Sequence, residues 1–172
     1  VQFEYSKFGD TSNTSRSYCL QPYLLKEYRN RWYLVGWDDQ KNQIRTFGCD
    51  RILRLQVVEG TRFQVQKSFQ PSHYFEHAIG ITVLGNAKPE KIAFSCDLIL
   101  AKYLKSQPLH PSQTLEIQAD QAMVTLDVMP TFELMQWLQA HAGELTVLSP
   151  DHVRNTVRNA LQVALSRQLD DA

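Results

Sequence analysis

The stretch Arg31-Trp32-Tyr33-Leu34-Val35-Gly36-Trp37 decides the fold of the first sixty residues. Alternate residues of a strand face opposite sides, so Trp32 and Leu34 share one face and Tyr33 and Val35 share the other. One face of a small barrel is packed core, and we expect Trp32 and Leu34 to be the core pair. This places the Tyr33 hydroxyl at or near the surface.

Short strand-like segments lie on both sides of this stretch and are separated by turn-forming residues. Five short strands with tight connections predict a small closed β-barrel, because closure removes the edges that an open sheet of this size would expose. The segments around the central strand are residues 1–5, 17–28, 43–47 and 50–53.

The second half of the chain has the order strand, helix, strand, strand, helix, strand, helix. This order is typical of a ferredoxin-like βαββαβ sandwich with an added C-terminal helix. We therefore predict an α+β protein with a barrel domain at 1–62, a connector at 63–90 and a ferredoxin-like domain at 91–172. Within the connector, the residues after Pro71 have helical spacing and predict a short helix.

The composition is that of a folded protein, with 172 residues, 43% hydrophobic and 21% charged. Eighteen basic and eighteen acidic residues give a formal net charge of zero, which argues against attraction of the whole surface to nucleic acid or membrane. Basic residues are nevertheless concentrated between Arg29 and Arg54, and most of them are arginine. A local anion site is therefore compatible with the overall balance.

Cys19, Cys49 and Cys96 are odd in number and contain no CxxC pair, so neither a disulfide framework nor a structural zinc site is expected. Free cysteines suit a reducing cytoplasm. The sequence has no transmembrane span and no signal peptide, and no membrane partner is expected. Because the first residue is Val and a strand pattern begins at once, we expect a fragment whose N-terminal part is missing.

Four pieces of the first sixty residues resemble the WYL domain family. They are a proline-led strand, a Trp-Tyr-Leu strand, an Arg-Thr-Phe strand and an Arg-Ile ending, at 22–25, 31–37, 45–47 and 50–52. The family usually carries a polar or basic residue and a Leu after the Phe, where this chain has Gly48 and Cys49. Residues 81–168 are similar to the WYL C-terminal extension, called WCX, in the 94 strand, the 109–113 loop, the 133–138 helix and 147–150.

The resemblance implies an Sm-like or SH3-like barrel that follows a winged helix-turn-helix domain in bacterial transcription factors. Such domains are thought to bind a regulatory ligand, in several cases nucleic acid, through exposed basic and aromatic residues. The extension helps to pair the subunits. The implied partners are therefore an anionic small molecule or single-stranded nucleic acid, operator DNA through the missing N-terminal domain, and a second subunit.

The predicted binding residues are Tyr33, Arg45 and Arg51, with Arg16 and Ser17 as weaker candidates. Arg45 and Arg51 are costly to bury unpaired, so we expect them on the barrel rim, converging on an anion near Tyr33. The residues alone leave an alternative open, in which Arg51 pairs with Asp50 or Glu59, Arg45 pairs with Asp39, and all serve only structure.

The segment His73-Tyr74-Phe75-Glu76-His77 matches the H-x-x-E-H pattern of zinc hydrolases. We expect packing instead, because Tyr74 and Phe75 are apolar and no catalytic domain of adequate size follows. No other catalytic motif is present, and neither a cofactor nor a metal is expected. The prediction is a non-enzymatic, dimeric, cytoplasmic effector-binding module. A purely structural dimerisation module is the alternative, and a zinc hydrolase using His73, Glu76 and His77 is the remote one.

Overall fold

The computed structural model describes residues 1–8, 15–60, 63, 65–66, 69–85 and 87–169. The chain forms two compact units, residues 1–74 and 75–172. The described residues form an α+β fold, which confirms the predicted class. None of the described helices is long and apolar enough to span a membrane.

Unit 1 consists of two antiparallel three-stranded sheets with the strand orders β2-β1-β6 and β3-β4-β5. A single 3-10 turn at Cys49–Arg51 joins the last two strands. The strands are β1 (Gln2–Tyr5), β2 (Arg16–Cys19), β3 (Gln21–Tyr28), β4 (Arg31–Asp38), β5 (Gln43–Gly48) and β6 (Ile52–Gln56).

The two sheets are joined by a bend at Leu20, which lies between β2 and β3 and is 1% exposed. Its backbone N–H donates to the Val1 carbonyl at 2.8 Å, so the chain leaves one sheet and enters the other without a loop. Both sheets pack on one core formed by Phe3, Tyr5, Leu20 and Phe47. Among the described residues no strand pairing closes the two sheets into one ladder, so the predicted five-stranded closed barrel is instead a six-stranded pair of sheets.

The expected core pair on β4 is only half correct. Leu34 packs against the core, but Trp32 is 55% exposed. Val35, predicted on the outer face, is fully buried. Val35 lies directly opposite Thr46, whose side chain hydrogen-bonds Tyr74, so the chain after β6 covers this outer face as well.

The described part of the segment after β6 consists of turns whose aromatic side chains contact one another. Phe69 is buried and its ring lies 4.7 Å from Tyr23 and 5.2 Å from Tyr74. Residues 71–77 are turns, where the sequence predicted a short helix. The apolar spacing after Pro71 thus reflects packing of aromatic side chains and not a helical repeat. The predicted domain limits at 62 and 91 stay predictions.

Unit 2 is a ferredoxin-like sandwich with the antiparallel strand order β10-β7-β9-β8, as predicted. Asp97 caps the first helix by accepting a hydrogen bond from Leu100 N at 2.7 Å. The elements are β7 (Glu90–Asp97), α1 (Leu98–Ser106), β8 (Thr114–Gln118), β9 (Gln121–Val128), α2 (Phe132–Ala140), β10 (Leu145–Ser149) and α3 (Asp151–Leu169).

The core of unit 2 provides a test of this packing. Phe94 is fully buried in β7, whereas Phe132 at the start of α2 is 64% exposed. Phe94→Ala should lower the free energy of unfolding by about 3 to 5 kcal/mol, because it leaves a cavity. Phe132→Ala should change it by less than about 0.5 kcal/mol. Denaturant unfolding followed by circular dichroism measures both, and equal losses would contradict the fold.

Candidate anion-binding site

An aromatic cluster, defined here as Phe3, Tyr5, Tyr18 and Phe47, lies between the two sheets. The Tyr5 and Phe47 rings are 5.0 Å apart, and those of Tyr18 and Phe47 are 4.9 Å apart. The Tyr5 hydroxyl accepts a hydrogen bond from Gly48 N at 3.2 Å. Burial raises the pKa of Tyr5, so the phenol stays neutral at ordinary pH.

Arg45 lies against this cluster from β5. Its guanidinium carbon is 4.9 Å from the Tyr18 ring centre and 5.1 Å from that of Phe47. Its Nη1 donates to Asp38 Oδ2 at 3.1 Å, and Asp38 is 3% exposed. The ion-pair alternative therefore holds for Arg45, with Asp38 and not Asp39 as the partner. The Asp38 carboxylate compensates the charge of Arg45, and this ion pair together with the ring contacts holds the Arg45 side chain against the aromatic cluster.

Arg51 lies on the other side of the cluster, where the 3-10 turn ends. Its guanidinium carbon is 5.0 Å from the Tyr5 ring centre and 4.5 Å from that of Phe8. Its Nε forms an ion pair with Asp50 Oδ1 at 3.9 Å, as the alternative interpretation expected, but this distance is too long for a hydrogen bond. Nε is buried and has no hydrogen-bond partner among the described residues. Arg51 therefore holds an N–H donor to which the described chain supplies no acceptor.

Gly48 explains how Arg51 reaches this position. A Cβ at Gly48 would lie 2.8 Å from Arg51 Nη2 and 2.7 Å from Asp50 Oδ1. The guanidinium thus fills the space that a side chain would take. Gly48 is one of the two positions where this chain departs from the WYL pattern, and the space it leaves gives the departure a structural reason.

The predicted meeting of Tyr33, Arg45 and Arg51 is only partly seen. Tyr33 lies directly opposite Gly48 in the ladder, so it belongs to the same part of the sheet as the Arg51 guanidinium. Arg45 lies opposite Gly36 in the ladder, three positions along β4 from Tyr33. Because the faces alternate with each residue, the Arg45 side chain points to the face of the sheet opposite to that of Tyr33. The register thus places Tyr33 and Arg45 on opposite faces of the β4–β5 ladder, and the convergence of Tyr33 and Arg51 on one ligand stays a prediction.

The two weaker candidates, Arg16 and Ser17, lie on opposite faces of β2. Arg16 is exposed and lies opposite Tyr5, on the face that carries the aromatic cluster. Ser17 lies opposite Glu4 on the reverse face, where it lines an open cavity of about 310 Å³. Arg54, in the same cavity, pairs with Glu4 at 2.7 Å. The Ser17 side chain thus points away from the ring face of the cluster, and its role as a ligand contact stays a prediction.

Sequence reasoning missed Tyr5, Phe8 and Tyr18. Tyr5 and Tyr18 belong to β1 and β2, and Phe8 follows β1. All three precede the WYL motif, and no local sequence pattern connects them with Arg51. Only the antiparallel pairing of β1 with β2 and β6 brings them together. The spacing of aromatic residues on β1 was the one available signal.

Cys49 lies beside a larger open cavity of about 540 Å³ with an apolar lining that includes Leu25, Leu34 and Ile52. Burial raises the pKa of the Cys49 thiol, and the neighbouring Asp50 carboxylate raises it further. A raised pKa disfavours the reactive thiolate, which agrees with a packing role.

The H-x-x-E-H segment is part of the packing of turns described above. The backbone carbonyl of Glu76 accepts a hydrogen bond from His110 Nε2 at 2.7 Å, and that of His77 accepts one from Met129 N at 2.8 Å. Within the described ranges no group of three or more His, Cys, Asp or Glu side chains could hold a metal ion. Through the hydrogen bond to the Glu76 carbonyl, the His110 ring attaches the 109–113 loop to the turns that precede β7.

Several solved structures resemble the chain, and two of them illustrate the likeness. The structure described as a CRISPR Cas-related protein shares 14% identity at a TM-score of 0.55, covering 99% of this chain and 48% of that one. Proteasome accessory factor B/C (PafBC) of Arthrobacter aurescens shares 21% identity at a TM-score of 0.39, covering 99% of this chain and 25% of that one. The chain thus spans about a half and a quarter of these proteins, and the first likeness supports the fold.

A comparison with curated proteins finds no match. Family models do match: that of the WYL domain covers residues 1–57, and that of the WCX domain covers residues 91–165. WYL domains occur in transcription regulators and are generally not enzymes. The two matches lie in the two units described above, one in each. The chain belongs to the WYL domain family and carries a WYL domain followed by a WCX domain.

Proposed function

We propose that the chain is the effector-sensing and dimerising part of a bacterial transcriptional regulator, and that its WYL domain binds an anionic effector at Arg51. The observation that carries the proposal is the Arg51 guanidinium, stacked between Tyr5 and Phe8 with a buried Nε–H and no acceptor among the described residues. A buried polar group without a partner calls for an explanation, and a missing anion is one.

The local charge balance favours an anion. Asp50 lies 3.6 Å from Arg31 Nη1 and 3.9 Å from Arg51 Nε, so one carboxylate serves two guanidinium groups. The side chains of Asp50 and Arg31 are about half exposed, which weakens their attraction. One positive charge therefore remains for a ligand, and the planar arginine fork suits a phosphate or a carboxylate.

The neighbouring rings favour a nucleotide or a single-stranded nucleic acid among anions. Phe8 is 75% exposed and already stacks on the guanidinium, and Tyr33 lies across from Gly48. A base stacks on such rings while its phosphate meets the arginine. Arg45, which is paired with Asp38, would border the site as a fixed side chain and would not move to contact the effector.

Signal transmission requires that the effector bind one arrangement of the regulator better than another. The DNA-binding step belongs to a helix-turn-helix domain outside this sequence, and operator DNA in the cytoplasm is its target. This chain would supply the sensing site and the pairing of subunits, without catalysis.

Helix α3 supports pairing with a second copy. Its first half buries Val153 and Val157, but residues 161–169 are all exposed. Leu161 and Leu165 follow one another at a helical spacing of four, and Arg167 is the only charged residue in this half. A nearly uncharged apolar stripe can face its own copy across a two-fold axis without repulsion. An unsupported helical half of this length is also marginal by itself.

The effector site can be tested without removing a charge. Gly48→Ala should displace the Arg51 guanidinium and weaken binding of a fluorescent 5′-phosphorylated oligothymidylate of about four nucleotides at least tenfold at about 50 mM salt. Arg51→Ala should do the same. Fluorescence anisotropy measures both.

Gly143→Ala is the matched control for Gly48→Ala, because nothing lies within 4 Å of its added Cβ. Arg54→Ala is the control for the lost charge. If the wild type fails to bind, or if both Arg51 and Gly48 variants bind normally, the effector site is wrong. A purely structural dimerisation module would then be the better account.

Dimerisation is tested by Leu161→Glu combined with Leu165→Glu. The wild type should have twice the 19.9 kDa mass of the chain, and the double variant should be a monomer, because glutamates would face each other in the interface. Light scattering after size exclusion gives the masses. Val163→Glu, on the opposite side of α3, should remain a dimer. A monomeric wild type would refute the pairing.

A further inference from the structure

Residues 76–82, which we call the strap, lie against unit 2 and contain neither a helix nor a strand. Within the strap, Ala78 is buried and Ile79 packs against the core of unit 2. Two aliphatic side chains are a small anchor for a segment of this length. The position of the strap therefore depends on hydrogen bonds.

A buried histidine holds the first residue of the strap. His110 is 8% exposed, and its Nε2 donates to the Glu76 carbonyl at 2.7 Å. Its Nδ1 accepts a hydrogen bond from Ser112 N at 3.2 Å. Because a carbonyl only accepts and a backbone N–H only donates, this ring carries its one proton on Nε2 and is neutral. A hydrogen bond between neutral groups adds little net stability, since water can replace it.

Further along the strap, a backbone bond and a carboxylate hold the chain. The His77 carbonyl accepts from Met129 N at 2.8 Å. Oε1 of Glu133, in the first turn of α2, accepts from Thr82 Oγ1 at 2.9 Å and from Ile81 N at 3.3 Å. One oxygen of this carboxylate therefore holds two donors of the strap.

The other oxygen of Glu133 makes this arrangement costly. Glu133 is 7% exposed, and its Oε2 is buried with no hydrogen-bond partner among the described residues. The backbone of Gly80 lies directly on the carboxyl group, since a Cβ there would be 3.0 Å from Glu133 Cδ. A buried acceptor without a partner costs free energy, which is regained when water reaches it. Docking of the strap thus carries a penalty that its release removes.

We propose that residues 76–82 form a releasable strap that sets the length of free chain between the two units. Unit 1 ends at Tyr74, so the docked strap attaches the chain to unit 2 almost at once. The released strap lengthens the tether between unit 1 and β7, and neither unit has to unfold. Local opening of this kind is expected where few apolar contacts are broken. This device goes beyond the effector site, because it uses residues of unit 2 alone and requires no ligand.

Native-state hydrogen exchange of the intact chain, followed by NMR, tests the release. The amides of Ile81 and Met129 report on the strap, because they donate to Glu133 Oε1 and to the His77 carbonyl. Their protection factors in the wild type should be about a hundredfold lower than those of the central strand β7, and insensitive to low denaturant. Leu100 N, which donates to the Asp97 carboxylate, is the reference amide outside the strap.

Gly80→Ala should release the strap. Gly80 has a φ of 93°, where an L side chain is strained, and its added Cβ would lie 2.7 Å from Glu133 Cγ. Protection of the two strap amides should fall by at least about tenfold, while that of Leu100 stays unchanged. Gly85→Ala is the matched control, since nothing lies within 4 Å of its added Cβ, and it should behave like the wild type.

Thr82→Val keeps the test decisive if Gly80→Ala fails to fold. It removes one donor to Glu133 at nearly constant volume, and protection of the strap amides should fall about three- to tenfold. Small-angle X-ray scattering of Gly80→Ala should give a larger maximum dimension than that of the wild type or of Gly85→Ala, because the longer tether lets the units separate.

Two results would overturn the strap as a separate element. One is exchange of the Ile81 and Met129 amides together with those of β7, with the same dependence on denaturant. The other is full protection of both amides in Gly80→Ala and Thr82→Val. Loss of protection in Gly80→Ala with an unchanged maximum dimension would refute the tether. No effector enters these measurements, so either failure leaves the site at Arg51 untouched.

Discussion

The hydrogen bond from Gly48 N to the Tyr5 hydroxyl is the contact on which the described site depends. Tyr5 belongs to one sheet of unit 1 and Gly48 to the other, and 43 residues separate them in sequence. The bond fixes the Tyr5 ring beneath Arg51 and fixes the end of β5 where the 3-10 turn begins. Because a Cβ at Gly48 would collide with the guanidinium, the same position also determines where Arg51 can lie.

This constraint explains why the two arginines of the motif differ. Arg45 lies in the middle of β5, where Asp38 supplies a buried carboxylate and the ladder register directs it to one face. Arg51 follows the strand, where the turn releases it from the parity of the ladder. The strand residue Arg45 is therefore held by an ion pair, whereas the turn residue Arg51 keeps a buried Nε–H without an acceptor among the described residues.

Much of this could be predicted from the sequence, and the limits have physical causes. The order of elements in unit 2 follows from caps and periodicity, which are local, and it was predicted correctly. The burial of Trp32 and Val35 was predicted wrongly, because it depends on how far the hairpin extends past the second sheet and on the segment that covers its outer face. For a related reason the sequence did not reveal that Tyr33 and Arg45 lie on opposite faces of the β4–β5 ladder. Alternation along one strand does not reveal the register between strands, and a shift by one residue changes the face.

The most direct test of the site is the proton on Arg51 Nε, observed by nitrogen-edited NMR in the intact chain. Titration with the short phosphorylated oligothymidylate should shift this signal downfield and slow its exchange with water, because the anion supplies the acceptor it lacks. The corresponding signal of Arg45, whose guanidinium is held by Asp38, should move little. An Arg51 signal that stays unchanged while the oligonucleotide binds would contradict the account.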